Sequence, residues 1–317
     1  MCMRESRTFA ERTQVFSSDR TLKKYFLVYE GSDTEALYFD AVVNMRNEIG
    51  INPLIELVPV IRSYSEEGWS NPKKILDRVI ENLEESRTKS MSYETLLNRI
   101  MDYFYDVKVI TSSRIQAKSI WKTMGRICEK DLHKTLASEV EDIEYACSVI
   151  LGILEKEYEL VHVISDISNI IKDGGITYAE GFDKICLIVD RDRGSFVSTP
   201  NNNQYEYVVH KCAEKKFGLY ITNPCFEFWL LLHFDEVFEL EIDKLLENPK
   251  VTAKRRYAEQ ELRKIWLGYG KSSYKAEEIV KRIGKAIENE EKFCEDVVLL
   301  ENKVGSNLGI LIKEMRL

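Results

Sequence analysis

The sequence predicts an α/β protein, with a mostly parallel sheet flanked by helices and a large all-helical insertion. Three observations predict it. Strand-then-helix alternation appears near both ends of the chain, the segment Lys184 to Val189 is apolar without a break, and the stretch from about Thr88 to Ile176 has helical periodicity with few strand signals. A continuous apolar run of strand length suits a parallel strand covered on both faces. The organisation expected is a first core part over 20–87, a helical insertion over 88–180, and a second core part with C-terminal helices over 181–317.

The elements follow in order. After a polar lead, Lys24 to Tyr29 is apolar and rich in aromatic and β-branched residues, and Glu30-Gly31 ends it as a strand. Asp33-Thr34-Glu35 opens a helix with acidic residues in its first turn, where they complement the helix dipole. Ile55 to Ile61 reads as a second strand. Asn71 is placed as N-cap and Pro72 as the first helical residue of a helix to about Ser86. In the insertion, helices are expected over Tyr93 to Tyr105, Ala117 to Cys128, Thr135 to Leu154 and Leu160 to Ile171. The βα pattern then resumes with the strand at 184–189, a helix from Gln204 to Lys216, a strand from Gly218 to Thr222, and an apolar helix within Asn223 to Phe234. Charged helices are expected over Arg256 to Trp266, Ser273 to Glu288 and Gly305 to Met315.

Composition narrows the function classes. With 44% hydrophobic and 31% charged residues the chain is globular rather than disordered. No apolar run approaches a membrane span, and residues 1–20 do not look like a signal peptide. The 7 cysteines are scattered without C-x-x-C spacing, so neither a disulfide framework nor a zinc site is indicated, and a cytoplasmic location is expected. The net charge of -8 argues against nucleic-acid binding by overall attraction, though a metal held by carboxylates supplies its own positive charge. The 4 histidines have no metal spacing and are expected in core or surface roles.

The acidic residues at strand ends carry the chemistry. Glu30, the pair Asp190 and Asp192, and Glu227 each fall just after a predicted strand or in the following helix. In an open α/β sheet the carboxyl ends of parallel strands form the ligand crevice, so these groups can converge. Oxygen ligands without histidine or thiolate suit Mg²⁺ or Mn²⁺, which could activate a water for phosphodiester cleavage. Glu227 sits among Phe226, Phe228, Trp229 and three leucines, close to the strand end that Asn223 and Pro224 mark. It either faces the acidic cluster, as metal ligand or general base, or lies on a polar stripe beside His233. Lys254, Arg255, Arg256, Lys271, Lys275, Lys281 and Arg282 offer a basic surface, with a solvated face as the plain alternative. Gly270-Lys271-Ser272 is not a P-loop, because Ile265 stands where its first glycine is required. Aromatics of the insertion such as Tyr93, Phe104 and Trp121 could stack on single-stranded RNA, with packing as the default reading.

Three blocks together resemble the RloB-like family: Phe26-Leu-Val-Tyr-Glu-Gly-x-x-Thr-Glu35, Leu187-Ile-Val-Asp-Arg-Asp192, and Ile221-Thr-Asn-Pro-Cys-Phe-Glu-Phe-Trp-Leu-Leu-Leu-His-Phe234. The resemblance covers about residues 23–86 and 183–315 and omits the helical insertion. It implies a TOPRIM-like fold, similar to the nuclease domain of OLD proteins and the nuclease subunit of the PARIS system. It further implies a role in abortive infection beside an ABC-type ATPase partner. Carried over by position, Glu30 becomes a metal ligand or general acid/base, and Asp190 and Asp192 become metal ligands. Glu227 becomes the family's late acidic position, and Lys271 and Lys275 become phosphate contacts. Glu35 and Asn223 lie in the same blocks. The family's N-P-S-T-N-like segment stands here as Lys303-Val-Gly-Ser-Asn307.

The function expected is therefore a Mg²⁺- or Mn²⁺-dependent nuclease acting on RNA, such as tRNA, or on DNA. Two other readings stand beside it. One is a non-catalytic scaffold docking onto the ATPase; the other is a nucleotide-sugar transferase using Asp190-Arg-Asp192, which has little use for Glu30 or Glu227. The oligomeric state stays open, a homodimer included.

Overall fold

The computed structural model describes residues 9–11, 22–29, 34–60, 71–88, 91–106, 114–158, 176–194, 196–199, 201–253 and 255–317. Its centre is a sheet of five strands in the order β3-β2-β5-β8-β9, where β2 is Lys23–Tyr29, β3 Ile55–Val60, β5 Lys184–Asp190, β8 Gly218–Asn223 and β9 Gly305–Ser306. The first four are parallel and β9 joins antiparallel, so the fold is α/β with a mostly parallel sheet. Alternation along the strands gives the sheet two apolar faces. Tyr25, Leu27, Tyr29, Cys186, Ile188 and Tyr220 face one core, and Phe26, Val28, Ile185, Leu187, Val189, Leu219 and Ile221 face the other.

Helix α1 (Thr34–Asn44) covers the first face, joined there by α7 (Phe226–Leu231), α9 (Tyr257–Ile265), α10 (Ala276–Val280), α11 (Ile283–Glu290) and α12 (Leu308–Arg316). Helices α2 (Pro72–Thr88) and α6 (Gln204–Lys215) cover the second. Asn71 caps α2 as expected, accepting from Lys73 N at 3.0 Å, and Asn203 caps α6 through Glu206 N at 3.0 Å.

Helices α3 (Tyr93–Asp106), α4 (Arg114–Lys130) and α5 (Ile143–Tyr158) build a separate apolar core around Leu96, Ile100, Phe104, Ile120, Met124 and Ile150. Tyr93, Phe104 and Trp121 are buried within it, so their periodicity reflects packing. The helix expected from Thr135 begins later, at Ile143. Thr135 and Ser138 instead close a turn, and Asp142 accepts from Tyr145 N at 3.0 Å at the start of α5. The helix expected over 160–171 lies outside the described residues.

The C-terminal segments differ from expectation in two places. The single helix expected over 273–288 is two, broken at Lys281 and Arg282. The helix expected from Gly305 starts at Leu308, because Gly305 and Ser306 extend the sheet. Gly305 runs so close to the Cys294 backbone that a Cβ would stand 2.0 Å from the Cys294 carbonyl oxygen, which only glycine avoids. A short parallel pair, β1 (Phe9–Glu11) with β4 (Ile176–Tyr178), and a two-residue ribbon, β6 (Ser198–Thr199) with β7 (Asn202–Asn203), complete the strands among the described residues. Strand β1 lies in what reads in the sequence only as a polar lead, and β4 at the end of the range read as the helical insertion.

Candidate functional site

Strands β2, β5 and β8 are parallel and deliver their last residues to one edge of the sheet. Asp190 and Thr222 are register partners there. Counting from Cys186 and Ile188, alternation puts Asp190 on the face that α1 and α7 cover. Arg191 goes the other way and is buried. Its Nε–H donates to Glu301 O at 3.1 Å and its Nη1 to Phe196 O at 2.9 Å, while the guanidinium lies over the Phe196 and Tyr205 rings. With its backbone N–H on Thr222 O at 2.8 Å, Arg191 fixes how the chain leaves β5. Asp192 lies in the turn beyond, and its Oδ1 accepts from Gly194 N at 3.0 Å.

Glu227 lies in the first turn of α7, reached from β8 through a cis Asn223–Pro224 bond. Its side chain is 6% exposed, and Lys271 Nζ stands 2.8 Å from Oε1. The Tyr269 hydroxyl donates to the same oxygen at 3.3 Å. Burial opposes charge on Glu227, but the Lys271 ammonium, with hydrogen bonds from Lys271 and Cys225, holds the carboxyl below its ordinary range, so it is ionised. Burial likewise opposes charge on Lys271, and Glu227 outweighs it, raising the ammonium above an ordinary lysine. The Cys225 thiol is pushed well up by burial and then by the charges of Glu227 and Asp190, which ties Asp190 to the same neighbourhood.

The loop carrying Lys271 is fastened to the start of α1. Thr34 Oγ1 donates to Lys271 O at 3.1 Å, and the Tyr274 hydroxyl donates to Thr34 O at 2.6 Å. Glu35, in the same turn of α1, is buried, and the Tyr274 phenol is raised by burial and then by Tyr38, Glu35 and Glu227. A second buried carboxylate, Glu259, lies 3.9 Å from Lys271 Nζ and is itself paired with Arg263 at 3.0 Å.

Among the residues expected at the site, Glu227 and Lys271 form an ion pair, Asp190 ends β5 as register partner of Thr222, Glu35 is buried in the first turn of α1, and Glu30 lies outside the described residues. Asp192 keeps its Oδ1 on Gly194 N in the turn. Asn223 is fully buried; its Nδ2 donates to Leu300 O at 2.7 Å, and its Oδ1 has no hydrogen-bond partner. Lys275 is exposed and pairs with Glu278 at 2.9 Å. The pairing of Glu227 with His233 does not form. His233 Nδ1 lies 3.0 Å from Trp229 O and so carries the proton, leaving Nε2 to accept from the Tyr38 hydroxyl at 3.1 Å. Burial drives its pKa down to about 3 and keeps it neutral. Of the basic surface, Lys254 lies outside the described residues, Arg256 bonds Asn248 O at 3.2 Å, and Arg282 lies over the Phe234 ring. Cys225, Glu259 and Tyr269 are site residues that the sequence did not single out, since their link to Glu227 is made only by folding.

Among the described residues no three His, Cys, Asp or Glu side chains converge into a metal cage. Mg²⁺ needs no such cage, because it takes one or two carboxylates and keeps several waters. Asp190 supplies one carboxylate beside the buried Thr222 Oγ1, which has no hydrogen-bond partner. Glu227 follows five residues after Thr222, in the first turn of α7. The donor set is all oxygen and suits a hydrated hard cation.

Fold and site together define an α/β protein with a buried glutamate paired to a lysine beside the carboxyl end of a mostly parallel sheet. The family described as RloB-like protein matches residues 25–315, nearly the whole chain, and the chain belongs to that family. The helical segment lies inside the matched range, although the three sequence blocks leave it out. No curated protein and no solved structure matches the chain. Among the described residues no helix is long and apolar enough to cross a membrane.

Proposed function

We propose that this protein is a metal-dependent nuclease of the TOPRIM type. It cleaves RNA such as tRNA, or DNA, in the cytoplasm as the effector of anti-phage defence, under the control of an ABC-type ATPase. The observation that supports this reading best is the pairing of Lys271 with buried Glu227 in the helix that follows β8, a strand whose carboxyl end is register-paired with Asp190 at the edge where parallel sheets bind ligands. A bound Mg²⁺ or Mn²⁺ would supply an activated water and charge stabilisation at a phosphodiester. Asp190, with Asp192 and Glu30 from the neighbouring segments, would hold it. Lys271 offers a half-exposed ammonium for a phosphate oxygen, and Glu227 a carboxylate kept ionised by its partners. The transferase reading gives the Glu227–Lys271 pair no task, whereas a nuclease uses both signs of charge.

The test is cleavage of labelled tRNA, single-stranded RNA and plasmid DNA with Mg²⁺ or Mn²⁺ by wild type, Glu30→Ala and Asp190→Ala. Losses of about 100-fold or more are expected in both variants, as for removal of groups that act on the metal. Activity untouched by either substitution would remove the site. A protein without activity, whose variants still bind the ATPase, would point to the scaffold.

A further inference from the structure

Glu227 is buried and ionised, yet it is not waiting for a ligand. Its Oε1 already receives Lys271 at 2.8 Å and Tyr269 at 3.3 Å, and its carboxylate also receives the Cys225 thiol. A divalent cation bound at this carboxylate would stand a few ångströms from the Lys271 ammonium whichever oxygen it took, and two cations that close repel strongly. The lysine is the partner able to move. Its side chain is 55% exposed against 6% for Glu227, and its backbone is held separately by Thr34, so the ammonium can swing while the loop stays put. It also has a second acceptor at hand, because Glu259 Oε2 lies 3.9 Å from the same Nζ.

We propose that Lys271 is a tethered counter-cation: it neutralises Glu227 while the acidic edge is empty of divalent ions, and an incoming Mg²⁺ or Mn²⁺ displaces it toward Glu259 and solvent. The inference rests on reading that edge as a divalent-ion site. Its consequence is order of binding. The lysine becomes available to an anionic phosphate only after the ion has taken its place, so metal and substrate bind cooperatively with Lys271 as the link.

Mn²⁺ binding, measured at one mildly alkaline pH by the loss of the free-ion paramagnetic signal, tests this without any turnover. Lys271→Met should bind Mn²⁺ about tenfold more tightly than wild type, since the ion no longer competes with an ammonium that is itself partly screened by solvent. Lys271→Arg keeps a cation and should bind like wild type, and the gain from Lys271→Met should vanish when Glu227→Gln is added. If wild type binds Mn²⁺ and Lys271→Met binds equally or more weakly, the counter-cation is overturned while the ion site stands. If neither binds, both fall together.

Should Lys271→Met fail to fold, the wild-type lysine reports directly. After reductive ¹³C-methylation, with the Lys271 signal identified by its loss in Lys271→Arg, Mg²⁺ should move that signal in wild type and leave it in place in Glu227→Gln. A Lys271 signal indifferent to Mg²⁺ in a chain that binds Mn²⁺ would also overturn the proposal.

Discussion

The helical segment of α3 to α5 and the C-terminal half of the sheet layer are both well buried, but they are filled differently. The interior of the helical segment includes Leu96, Leu97, Ile100, Phe104, Ile120, Met124, Ile150 and Leu154, and among the described residues its buried polar side chains are Thr95 and Asn98. From Thr222 onward the interior also holds Asn223, Glu227, His233, Asn248, Glu259, Asn289, Glu290, Ser306 and Asn307. An apolar core is specified by volume and pattern and tolerates exchange of one hydrophobe for another. A polar interior is specified group by group, because each unpaired atom costs about 1–3 kcal/mol. The first region can therefore lose volume without touching chemistry, and the second cannot lose a partner without moving something at the sheet edge.

The largest effect expected from that contrast lies far from the site. Phe104→Ala removes one of the largest buried side chains of the helical core and should cost about 3–5 kcal/mol in urea unfolding. Under folding conditions, Mn²⁺ binding at the sheet edge should be unchanged. Weakened binding in the folded variant would mean that the helical core holds the site in shape, and the contrast between the regions would fail.

Glu290 sharpens the comparison from the polar side. It ends α11 fully buried; Oε1 accepts from Gly309 N at 3.1 Å and Oε2 has no partner. A Cβ on Gly309 would fall 2.1 Å from Oε2, so glycine there is what allows the carboxyl to reach the start of α12. Burial, only partly offset by the Gly309 and Ser306 hydrogen bonds, pushes its pKa from 4.5 to about 8. A carboxyl raised in the fold favours the folded state fully below its unfolded pKa, and that contribution is lost as pH rises through the folded value. Stability of wild type relative to Glu290→Gln should accordingly fall between pH 4.5 and about 8, by ~4 kcal/mol at the upper end. Parallel melting curves for the two proteins across that range would show that Glu290 ionises in place.

Asn307 is the next smaller case. Its Oδ1 accepts from Ile221 N at 2.6 Å and its Nδ2 donates to Leu219 O at 3.0 Å, so one side chain completes the edge of β8 where β9 has ended. Asn307→Ala strands both backbone groups in the interior and should cost ~2 kcal/mol by chemical denaturation. A loss near zero would mean that water replaces the amide there.

How far the sequence disclosed all this follows the same division. Strands 23–29, 184–190 and 218–223 and helices α1, α2 and α6 were legible because apolar runs, caps and acidic first turns are local signals. Asp190 and Glu227 were legible as site candidates because each stands beside a strand end. The Glu227–Lys271 pair was not, since nothing in either local segment names the other as its partner. Asn307 and Gly305 read as parts of a helix because their task, closing the edge of β8 and passing Cys294, exists only once distant strands are in place. Asn223 read as a site residue for the opposite reason: it sits in the most distinctive block, yet its side chain turns into the interior toward Leu300.

The smallest effect expected separates two lysines four residues apart. Lys271 pairs with a buried carboxylate, whereas Lys275 pairs with Glu278 at 2.9 Å with both side chains largely in solvent. Exposed pairs of this kind gain little, because water screens the attraction and two long side chains lose freedom. Lys275→Ala should leave the melting temperature unchanged. If Lys275 serves as a phosphate contact, as the RloB-like resemblance implies, it acts as a point charge on the surface. Nucleic-acid affinity should then fall modestly for every sequence, with a salt dependence shallower by up to one counterion. Lys271→Ala should weaken binding mainly when a divalent ion is present, because its ammonium is otherwise held by Glu227. Equal losses from the two substitutions in the absence of divalent ions would place both lysines on one solvated basic face, and Lys271 would lose its distinction.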